Sequence, residues 1–352
     1  MAAQTPGTPG TSGDSTHIPF LQEVREAVTG RAALLVLGAL VLQLAFITSY
    51  VGAFHAPKPQ DIPLGVVAPR QVGDQLTDRL GALPGSPLDP RTVADEATAV
   101  RQIRDRDLEA ALIVDPRGTT DTLLVAGGSG ASLAQAAEAV VTRAEAAEKR
   151  SLKVTDIAPA AAGDARGLSS FYLVVGWCVG GYLCAAILAI SAGARPANPR
   201  RASFRLAALA LYALAAGLLG AVITGPVLDA LPGSVLGLWG LGALVVFAVG
   251  ATTLALQGLA GIIGIGLAIA IVVVLGNPSA GGAYPYPLLP PFWRAIGPAL
   301  PPGAGTFAAR SIAYFRGSAL TCPLLVLSAW AVAGTVVTMV CAAVRRRNHG
   351  PA

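Results

Sequence analysis

The sequence has little charge for a chain of 352 residues. Charged residues make up 13% of it, against about 25% in a typical globular protein. Carboxylates are scarcest in the second half, where Asp229 is the only one after Asp164. The net charge of +5 therefore comes from arginines that border apolar segments. This is typical of a membrane protein and unlike the dense basic surface that binds nucleic acid, so we expect no nucleic-acid partner.

Cysteine and histidine are also scarce. Every cysteine lies within an apolar run, and every histidine lies near a chain terminus or at the end of such a run. This placement excludes a disulfide framework, a zinc-ligand spacing and a Ser–His–acid triad. We therefore expect no catalytic residue, no metal site and no cofactor, and hence no enzyme. The residues concerned are Cys178, Cys184, Cys322, Cys341, His17, His55 and His349.

One glycine-rich stretch, Gly127-Gly128-Ser129-Gly130, precedes a predicted helix. Such a stretch can bind phosphate when a Lys-Ser or Lys-Thr pair follows the glycines, as in the Walker A motif. That pair is missing here, so the stretch is interpreted as a turn between a strand and a helix. The chain then contains no nucleotide-hydrolysing motor of its own.

Long apolar runs are what the sequence has instead. About 20 apolar residues are enough to cross the hydrocarbon core of a bilayer, so each run without charge marks a candidate span. The longest such run covers 230–293 and holds two spans, divided at Leu256-Gln257-Gly258. The sequence therefore predicts six transmembrane helices, five of them in a membrane domain at 169–344. They lie at 32–54, 169–193, 206–228, 233–255, 258–276 and 319–344.

The arginines that flank these spans are distributed unequally. With six spans, nine arginines lie on one side and three lie in the short loops of the other side. Because basic residues accumulate in cytoplasmic loops, both termini are predicted to be cytoplasmic, in a multi-pass protein of the inner (plasma) membrane. The nine are Arg25, Arg31, Arg195, Arg200, Arg201, Arg205, Arg345, Arg346 and Arg347, and the three are Arg294, Arg310 and Arg316.

No Asp, Glu, Lys, Arg or His lies inside any of the six predicted spans. Transporters coupled to protons or ions place ionisable groups at membrane depth, because those groups carry the coupling charge. Their absence argues against a self-energised antiporter. Pairs of small residues at helical spacing, such as Gly176 and Gly180, occur instead. They permit close approach of helices, with a hinge or a pore lining as the alternative.

The two ends of the chain differ in composition. Residues 1–16 are rich in Thr, Pro and Gly and are predicted to form a disordered cytoplasmic tail. Residues 17–31 carry apolar and charged side chains on opposite faces, which predicts an amphipathic helix at the membrane interface. Residues 345–352 form a basic cytoplasmic tail.

Most of the acidic residues lie between the first and second predicted spans. Residues 55–168 contain 16 of the 20 carboxylates, and strand-like and helix-like patterns alternate along them. This alternation predicts an α/β domain with a mixed or parallel sheet. The segment is long enough for an independent core, and the predicted topology places it outside the cytoplasm. We expect a polytopic α-helical membrane protein with one inserted extracytoplasmic α/β domain.

The segment 277–318 combines eight prolines with seven aromatic residues. Aromatic side chains concentrate at the headgroup level, and proline-broken backbone at the membrane must be covered by protein. An interfacial or re-entrant hairpin at the outer mouth is therefore predicted. Its arginines could contact an anionic or amphiphilic cargo, or else bind headgroups or pair with Asp229. The candidate outer-mouth residues are Asp229, Trp293, Arg294, Arg310 and Arg316.

Three stretches resemble a known class of membrane protein: IPLGVVAP at 62–69, DRDLEAALIVDP at 105–116 and LPPGAGTFAARSIAYFRG at 300–317. With these stretches and its architecture, the chain resembles type-2 ABC export permeases. The similar branch has an extracytoplasmic domain after the first span and includes the phage-infection-protein-like membrane proteins. The resemblance implies an amphipathic N-terminal helix, an outer hairpin and a cytoplasmic loop that contacts an ATPase. That loop would be 194–205, with Arg195, Arg200, Arg201 and Arg205 as candidate docking residues.

These expectations describe the permease subunit of an ATP-driven exporter in the lipid bilayer. It would work as a homodimer or heterodimer with a separate cytoplasmic ATPase subunit. A hydrophobic or lipid-like substrate is expected, since nothing polar lines the predicted spans. The alternative is a non-transporting envelope or secretion-apparatus scaffold that binds its partners through 55–168.

Overall fold

The computed structural model describes residues 29–193 and 195–348. The tail predicted at 1–16, most of the interfacial helix predicted at 17–31 and the last four residues of the basic tail lie outside this part of the chain. The described elements are α1 Gly30–Phe54, β1 Ile62–Val67, α2 Arg70–Gly81, β2 Leu88–Thr92, α3 Glu96–Arg104, β3 Ala110–Ile113, β4 Thr120–Val125, α4 Ala131–Ala147, β5 Ser151–Asp156, α5 Ser169–Ala192, α6 Pro199–Val222, α7 Val235–Ala260, α8 Ile263–Ser279, α9 Pro291–Ile296, α10 Pro301–Tyr314 and α11 Thr321–Asn348.

Five of the described helices, α1, α5, α6, α7 and α11, are long and apolar enough to cross a membrane. The prediction of a polytopic helical membrane protein is confirmed at this level. The chain divides by its internal contacts into two units, and the boundary lies within α1, after Ala45. The residues from Phe46 onward form one compact unit. That unit holds the strands and the other long helices.

A further apolar helix, α8, is shorter than these five. The sequence placed the break before it at Leu256-Gln257-Gly258, but α7 continues to Ala260. Gln257 does not interrupt the helix because its side chain is buried and donates to the carbonyl of Ala185 at 3.3 Å. The break comes instead at Gly261, whose φ of +63° favours glycine.

The far end of α8 contacts α1. Residues Ala270–Gly276 of α8 form a π-helical segment. The hydroxyl of Ser49, in the last turns of α1, donates to the carbonyl of Val274 within that segment.

The helices pack tightly around α7, which contacts α5, α6, α10 and α11. A Cβ atom at Gly217 of α6 would lie 2.5 Å from the Ala243 nitrogen, and one at Gly334 of α11 would lie 2.6 Å from the Ala251 carbonyl carbon. Both contacts join backbone to backbone, so only glycine fits at these positions. A Cβ atom at Gly176, one of the predicted packing glycines, would meet nothing within 4 Å. Two other predicted packing glycines do allow close approach, because a Cβ atom at Gly233 would lie 2.5 Å from the Ile312 carbonyl oxygen and one at Gly264 would lie 2.4 Å from the Gln257 nitrogen.

The segment 277–318 folds into the short helices α9 and α10. Pro301 and Pro302 begin α10, where the missing N–H groups would have no helical acceptor anyway. Most of α10 is buried, and it packs against α5, α7 and α11. The proline-broken backbone of this segment is thus covered by protein, as the sequence analysis required.

The strands form one mixed sheet in the order β2-β1-β3-β4-β5, with β3 and β4 antiparallel and every other pair parallel. Strand-like patterns at 64–67, 109–114, 121–126 and 153–157 predict four of these strands, whereas no pattern predicts β2, which reads LDPRT. This stretch has no apolar alternation and contains Pro90. It is accommodated because β2 is an edge strand, where a missing N–H group costs little.

The core of the sheet domain is not closed by the domain's own residues. Leu288, from the segment 277–318, is buried in the cluster on one face of the sheet. Phe315, which follows α10, is buried in the cluster on the other face. Both faces of the sheet are therefore completed by residues more than a hundred positions later, and the independent core expected at 55–168 stays a prediction for the isolated segment. The core residues around them include Ile62, Leu64, Leu112, Leu123, Val141, Ile103 and Leu124.

Leu288→Ala is expected to destabilise the sheet domain within the full chain. Leu288 is 3% exposed, and truncating a buried leucine costs about 2–5 kcal/mol. The measurement is limited proteolysis of the purified chain in detergent, with faster cleavage inside 57–165 expected. Leu236→Ala is the matched control, because Leu236 is 70% exposed. Equal protection of the two variants would contradict a shared core.

Candidate functional site

The predicted docking loop 194–205 leads from α5 into α6. The side chain of Asn198 accepts a hydrogen bond from the Arg201 N–H at 2.9 Å, and so caps α6. Pro199 occupies the first helical position, where its fixed φ is suited to the helix. This short-range chemistry fixes where α6 begins and therefore which arginines lie inside the helix.

Two of the four predicted docking arginines hold helix ends. The guanidinium of Arg205, which is 7% exposed, donates to the carbonyls of Ala192 at 2.8 Å and Gly193 at 2.7 Å. The guanidinium of Arg195 donates to the carbonyl of Leu259 at 2.8 Å. The last carbonyls of a helix have no partner within the helix, so these bonds satisfy the ends of α5 and α7. Arg195 and Arg205 thus have structural roles.

The other predicted docking residues, Arg200 and Arg201, are exposed. Two arginines in the last turn of α11 are exposed as well. The start of α6 lies beside α11, where the Ser203 hydroxyl is 3.8 Å from the Met339 sulfur. Arg195 is exposed too but binds Leu259, so the name basic surface is used for the other four exposed arginines at this end of the bundle: Arg200, Arg201, Arg346 and Arg347.

A second arginine cluster joins the sheet domain to the other end of α5. Arg310, in α10, is 3% exposed and donates to the carbonyls of Gly281 at 2.7 Å, Gly282 at 2.8 Å and Gly167 at 3.1 Å. Burial lowers the pKa of Arg310, while the nearby Tyr286 and Glu109 oppose this shift, and an arginine guanidinium keeps its charge in proteins. The cation therefore ties the hairpin segment to the start of α5.

Arg106 extends from the sheet domain to the same helix. It donates to the Phe307 carbonyl at 2.9 Å and to the Ser311 hydroxyl at 2.8 Å. Its guanidinium carbon also lies 3.6 Å from the centroid of the Phe307 ring, a favourable cation–π contact. Burial lowers the pKa of Arg106 to about 10, although the nearby Glu109 opposes this shift. Arg106 remains a cation at neutral pH and fastens the domain to α10.

A small cavity of about 30 Å³ lies at this junction and is lined by Arg106, Glu109, Tyr286 and Arg310, among others. A cavity of that size has room for a water molecule. Among the described residues, the Nε atoms of both arginines and the Tyr286 hydroxyl have no hydrogen-bond partner. The junction therefore has room for a bridging water but not for an organic substrate.

The junction includes an acid that the sequence analysis did not single out. Asp164 accepts hydrogen bonds from the Tyr314 hydroxyl at 2.6 Å and from the Ser169 N–H at 2.8 Å. Burial raises the pKa of Tyr314, and the bond to Asp164 adds to the shift. Asp164 and Tyr314 are 150 residues apart. No short-range pattern in the sequence relates them.

The predicted outer-mouth residues do not converge on one site. Arg294 donates to a carboxylate oxygen of Asp61 at 3.0 Å, so its acidic partner in the structure is Asp61. Arg310 is buried among carbonyls, which also removes it from a cargo-facing surface. Trp293 packs edge-to-face on Phe292. The remaining two candidates, Asp229 and Arg316, are exposed.

An apolar groove of about 430 Å³ lies between α5 and α6. One face of α5 forms its first wall, because Ser169, Tyr172, Leu173, Gly176 and Trp177 recur at helical spacing. The end of α6 forms the second wall, where a π-helical turn covers Ile223–Val227. Such turns are frequent at functional sites. No Asp, Glu, Lys, Arg or His lines the groove, whose remaining walls include Gly220, Thr224 and Leu228.

The glycine-rich stretch forms the turn that the sequence predicted. Gly127–Ser129 is a short 3-10 helix between β4 and α4. Its N–H groups are already used: Gly127 donates to the Asp156 carboxylate and Gly128 to the Ala158 carbonyl. A Cβ atom at Gly128 would lie 2.6 Å from the Tyr314 ring. The turn is therefore filled by protein and offers no phosphate site.

One acid pair in the sheet domain has a strongly perturbed titration. Glu145 and Asp121 are each 1% exposed, and Arg150 binds both Asp121 oxygens, at 2.5 and 2.6 Å. Burial, followed by the proximity of Asp121, raises the pKa of Glu145 to about 7. Arg150 is thus the cation beside two buried carboxyl groups, Asp121 and Glu145, and the Glu145 carboxyl favours its protonated form.

Comparison with known proteins gives no match for this chain among family models, curated proteins or solved structures. The function must therefore be argued from the geometry of these sites.

Arg205→Ala is expected to lower the thermal stability of the purified chain. Each lost hydrogen bond to a charged group contributes about 1.5–3 kcal/mol, and two carbonyls at the end of α5 would lose their donor. Arg200→Ala is the matched control, because Arg200 lies on the same loop with an exposed side chain. The measurement is the melting temperature of both variants in the same detergent. Equal melting temperatures would contradict the structural role of Arg205.

The stability of the sheet domain is expected to fall between about pH 4.3, the ordinary pKa of glutamate, and about 7, the raised pKa of Glu145. The folded state binds the Glu145 proton more tightly than the unfolded state does. The contribution of this proton to the free energy of unfolding is therefore complete below the unfolded-state pKa and is lost as the pH rises through the folded-state pKa. Glu145→Gln should reduce this loss. Glu138→Gln, at an exposed position, is the control. Resistance to proteolysis across this pH range is the measurement, and identical profiles for Glu145→Gln and the parent would count against the mechanism.

Proposed function

We propose that the protein is the permease subunit of an ATP-driven exporter of hydrophobic or lipid-like substrates, which works with a separate ATPase subunit. The observation that supports this proposal is the distribution of charged side chains. None of the six apolar helices contains an Asp or Glu, so the described spans carry no acid that could bind a coupling proton. Four exposed arginines form the basic surface at one end of the bundle. A transporter with this distribution must draw energy from a partner.

The proposal counts α8 as a sixth crossing. Its 17 residues correspond to about 25 Å of helix, which is close to the ~30 Å hydrocarbon core. It begins next to the end of α7, where Arg195 binds Leu259. It ends near the last turns of α1, where Ser49 binds Val274. Six crossings put the basic surface on the side opposite the sheet domain, and the positive-inside rule favours a cytoplasmic basic surface and an extracytoplasmic sheet domain.

The hydrogen bonds at the basic surface supply a route by which a partner could act on the bundle. Arg200 and Arg201 lie in the same helix as Arg205, one turn before it. Because Arg205 binds the last carbonyls of α5, a displacement of α6 by a docked ATPase would pull on α5. At the opposite end, α10 packs against α5 and carries Arg310. The coupling would reach the sheet domain through Arg106.

The test is affinity capture of the full chain from its native membrane, with an ATPase subunit as the expected co-purifying protein. Arg200→Glu combined with Arg201→Glu should weaken that association at least about tenfold, since opposing like charges across an interface can cost several kcal/mol. Lys149→Glu combined with Lys153→Glu, two exposed reversals on the sheet domain, is the matched control. Capture of no ATPase, with efflux stopped by a protonophore and not by ATP depletion, would reject the proposal. Capture of secretion-machinery proteins would favour a scaffold.

Membrane insertion must be verified in parallel, because the same arginines contribute to topology. In a cysteine-free background, a cysteine introduced by Ser86→Cys should react in intact cells with a membrane-impermeant maleimide. One introduced by Ser203→Cys should not. Both serines are exposed, so burial does not determine the result. Labelling of the Ser203→Cys variant from outside would contradict the six-crossing topology.

A further inference from the structure

The groove between α5 and α6 keeps its shape for two local reasons. Gly176 contributes no side chain, and a Cβ atom there would meet nothing within 4 Å. On the other wall, Pro226 has no N–H group to continue the helix, and α6 widens into its π-helical turn. The two walls therefore do not close on each other, although the same helices are in tight contact elsewhere.

The inner surface of the groove is rigid. Trp177 is 3% exposed, and its indole N–H donates to the Ala216 carbonyl of α6 at 3.2 Å. A Cβ atom at Gly220 would lie 2.4 Å from the same indole nitrogen, so the ring is packed directly against the α6 backbone. The indole therefore forms a fixed apolar floor, and the groove is a built feature of the two helices.

The chemistry of the groove selects its occupant. Its volume of about 430 Å³ lies within the ~300–1,000 Å³ of small-molecule sites, which are mostly apolar with a few polar groups. It lies between two candidate membrane spans, where the available apolar groups are acyl chains. Its α5 wall covers nine residues, or about 12 Å of helix. This length and volume suit one chain and exclude a protein helix.

Polar groups mark one end of the groove. The hydroxyl-bearing residues Ser169 and Tyr172 lie in the first turn of α5. Arg166 and Asp229 flank this end in the sequence, and both are exposed. Towards Trp177 the lining is apolar. An amphiphile would therefore bind with its polar head near the start of α5 and its chain along the groove.

We propose that this groove binds one acyl chain of the amphiphilic substrate. The identity of the amphiphile as cargo rests on the proposed exporter function, whereas occupation of the groove by an acyl chain does not. The groove would give the transported amphiphile a place beside the junction of Arg106 and Arg310, next to the sheet domain. Aliphatic contact, rather than charge, would select the substrate.

The test fills the groove without disturbing its walls. Gly176→Leu places a branched side chain into open space, and Gly240→Leu is the matched control because Gly240 on α7 also has nothing within 4 Å of a Cβ atom. The probe is a phospholipid with a photoreactive diazirine on its acyl chain, incorporated into vesicles that contain the full chain. Mass spectrometry measures crosslinking to the peptide that contains 169–177. We expect at least about a tenfold loss for Gly176→Leu and parent-like labelling for Gly240→Leu, with both variants folded by melting temperature.

Efflux of a fluorescent lipid analogue distinguishes the source of the chain. Loss of labelling together with loss of efflux, while an ATPase still co-purifies, supports a cargo site. Loss of labelling with unchanged efflux identifies a resident bilayer lipid and overturns the substrate assignment. Unchanged labelling in Gly176→Leu overturns the acyl-chain site itself. Failure of the exporter proposal is scored separately, by the absence of an ATPase from the capture experiment.

Discussion

Hydrogen bonds from arginine to backbone carbonyls are the interaction on which both ends of the bundle depend. Arg205 satisfies two carbonyls at the end of α5, and Arg310 satisfies three at its start and in the hairpin segment. A buried polar group left without a partner costs about 1–3 kcal/mol. Guanidinium has five N–H donors in a fixed plane, so a single side chain can satisfy several carbonyls. Backbone carbonyls are suitable partners for these arginines, because the sequence has only one carboxylate after Asp164.

The same interaction explains why the sheet domain is joined firmly to the helices. Arg106 binds a carbonyl and a hydroxyl of α10 and stacks on Phe307. Leu288 and Phe315, which flank the helices α9 and α10, enter the two cores of the sheet. Apolar burial supplies the stability, and Arg106 fixes the orientation. A protein built in this way can pass a displacement of the helices to the domain, which a flexible tether could not.

The proposed function combines three features that lie in different parts of the fold. In this proposal the basic surface would dock an acidic partner, the arginine bonds connect it to α5, and the groove beside α5 has the size and polarity for an acyl chain. Each feature has its own test, so a negative result for one of them does not contradict the other two. The π-helical turn Ile223–Val227 contains Pro226 and contributes Ile223 and Thr224 to the groove.

The amino-acid sequence by itself determined the class of the protein. Runs of about 20 apolar residues form helices long enough to span a bilayer, and strand–helix alternation at 55–168 produced a mixed sheet. Caps such as Asn198 and turns such as Gly127–Ser129 were equally predictable, since their hydrogen bonds join residues a few positions apart. Local chemistry decides these features. The edge strand β2 escaped prediction because its five residues follow no apolar pattern and are held by pairing with β1.

Only the tertiary structure decided which arginines are structural and which are free. Arg200 and Arg205 have the same charge and lie in the same loop, yet one is exposed and the other is bonded to α5. Arg294 binds Asp61, which lies 233 residues away in the sequence. The burial of Leu288 in the core of the sheet domain and the open space at Gly176 could not be predicted from the sequence either. In each case the deciding partner is distant in the sequence, and packing between elements, which no local pattern encodes, brings it into contact.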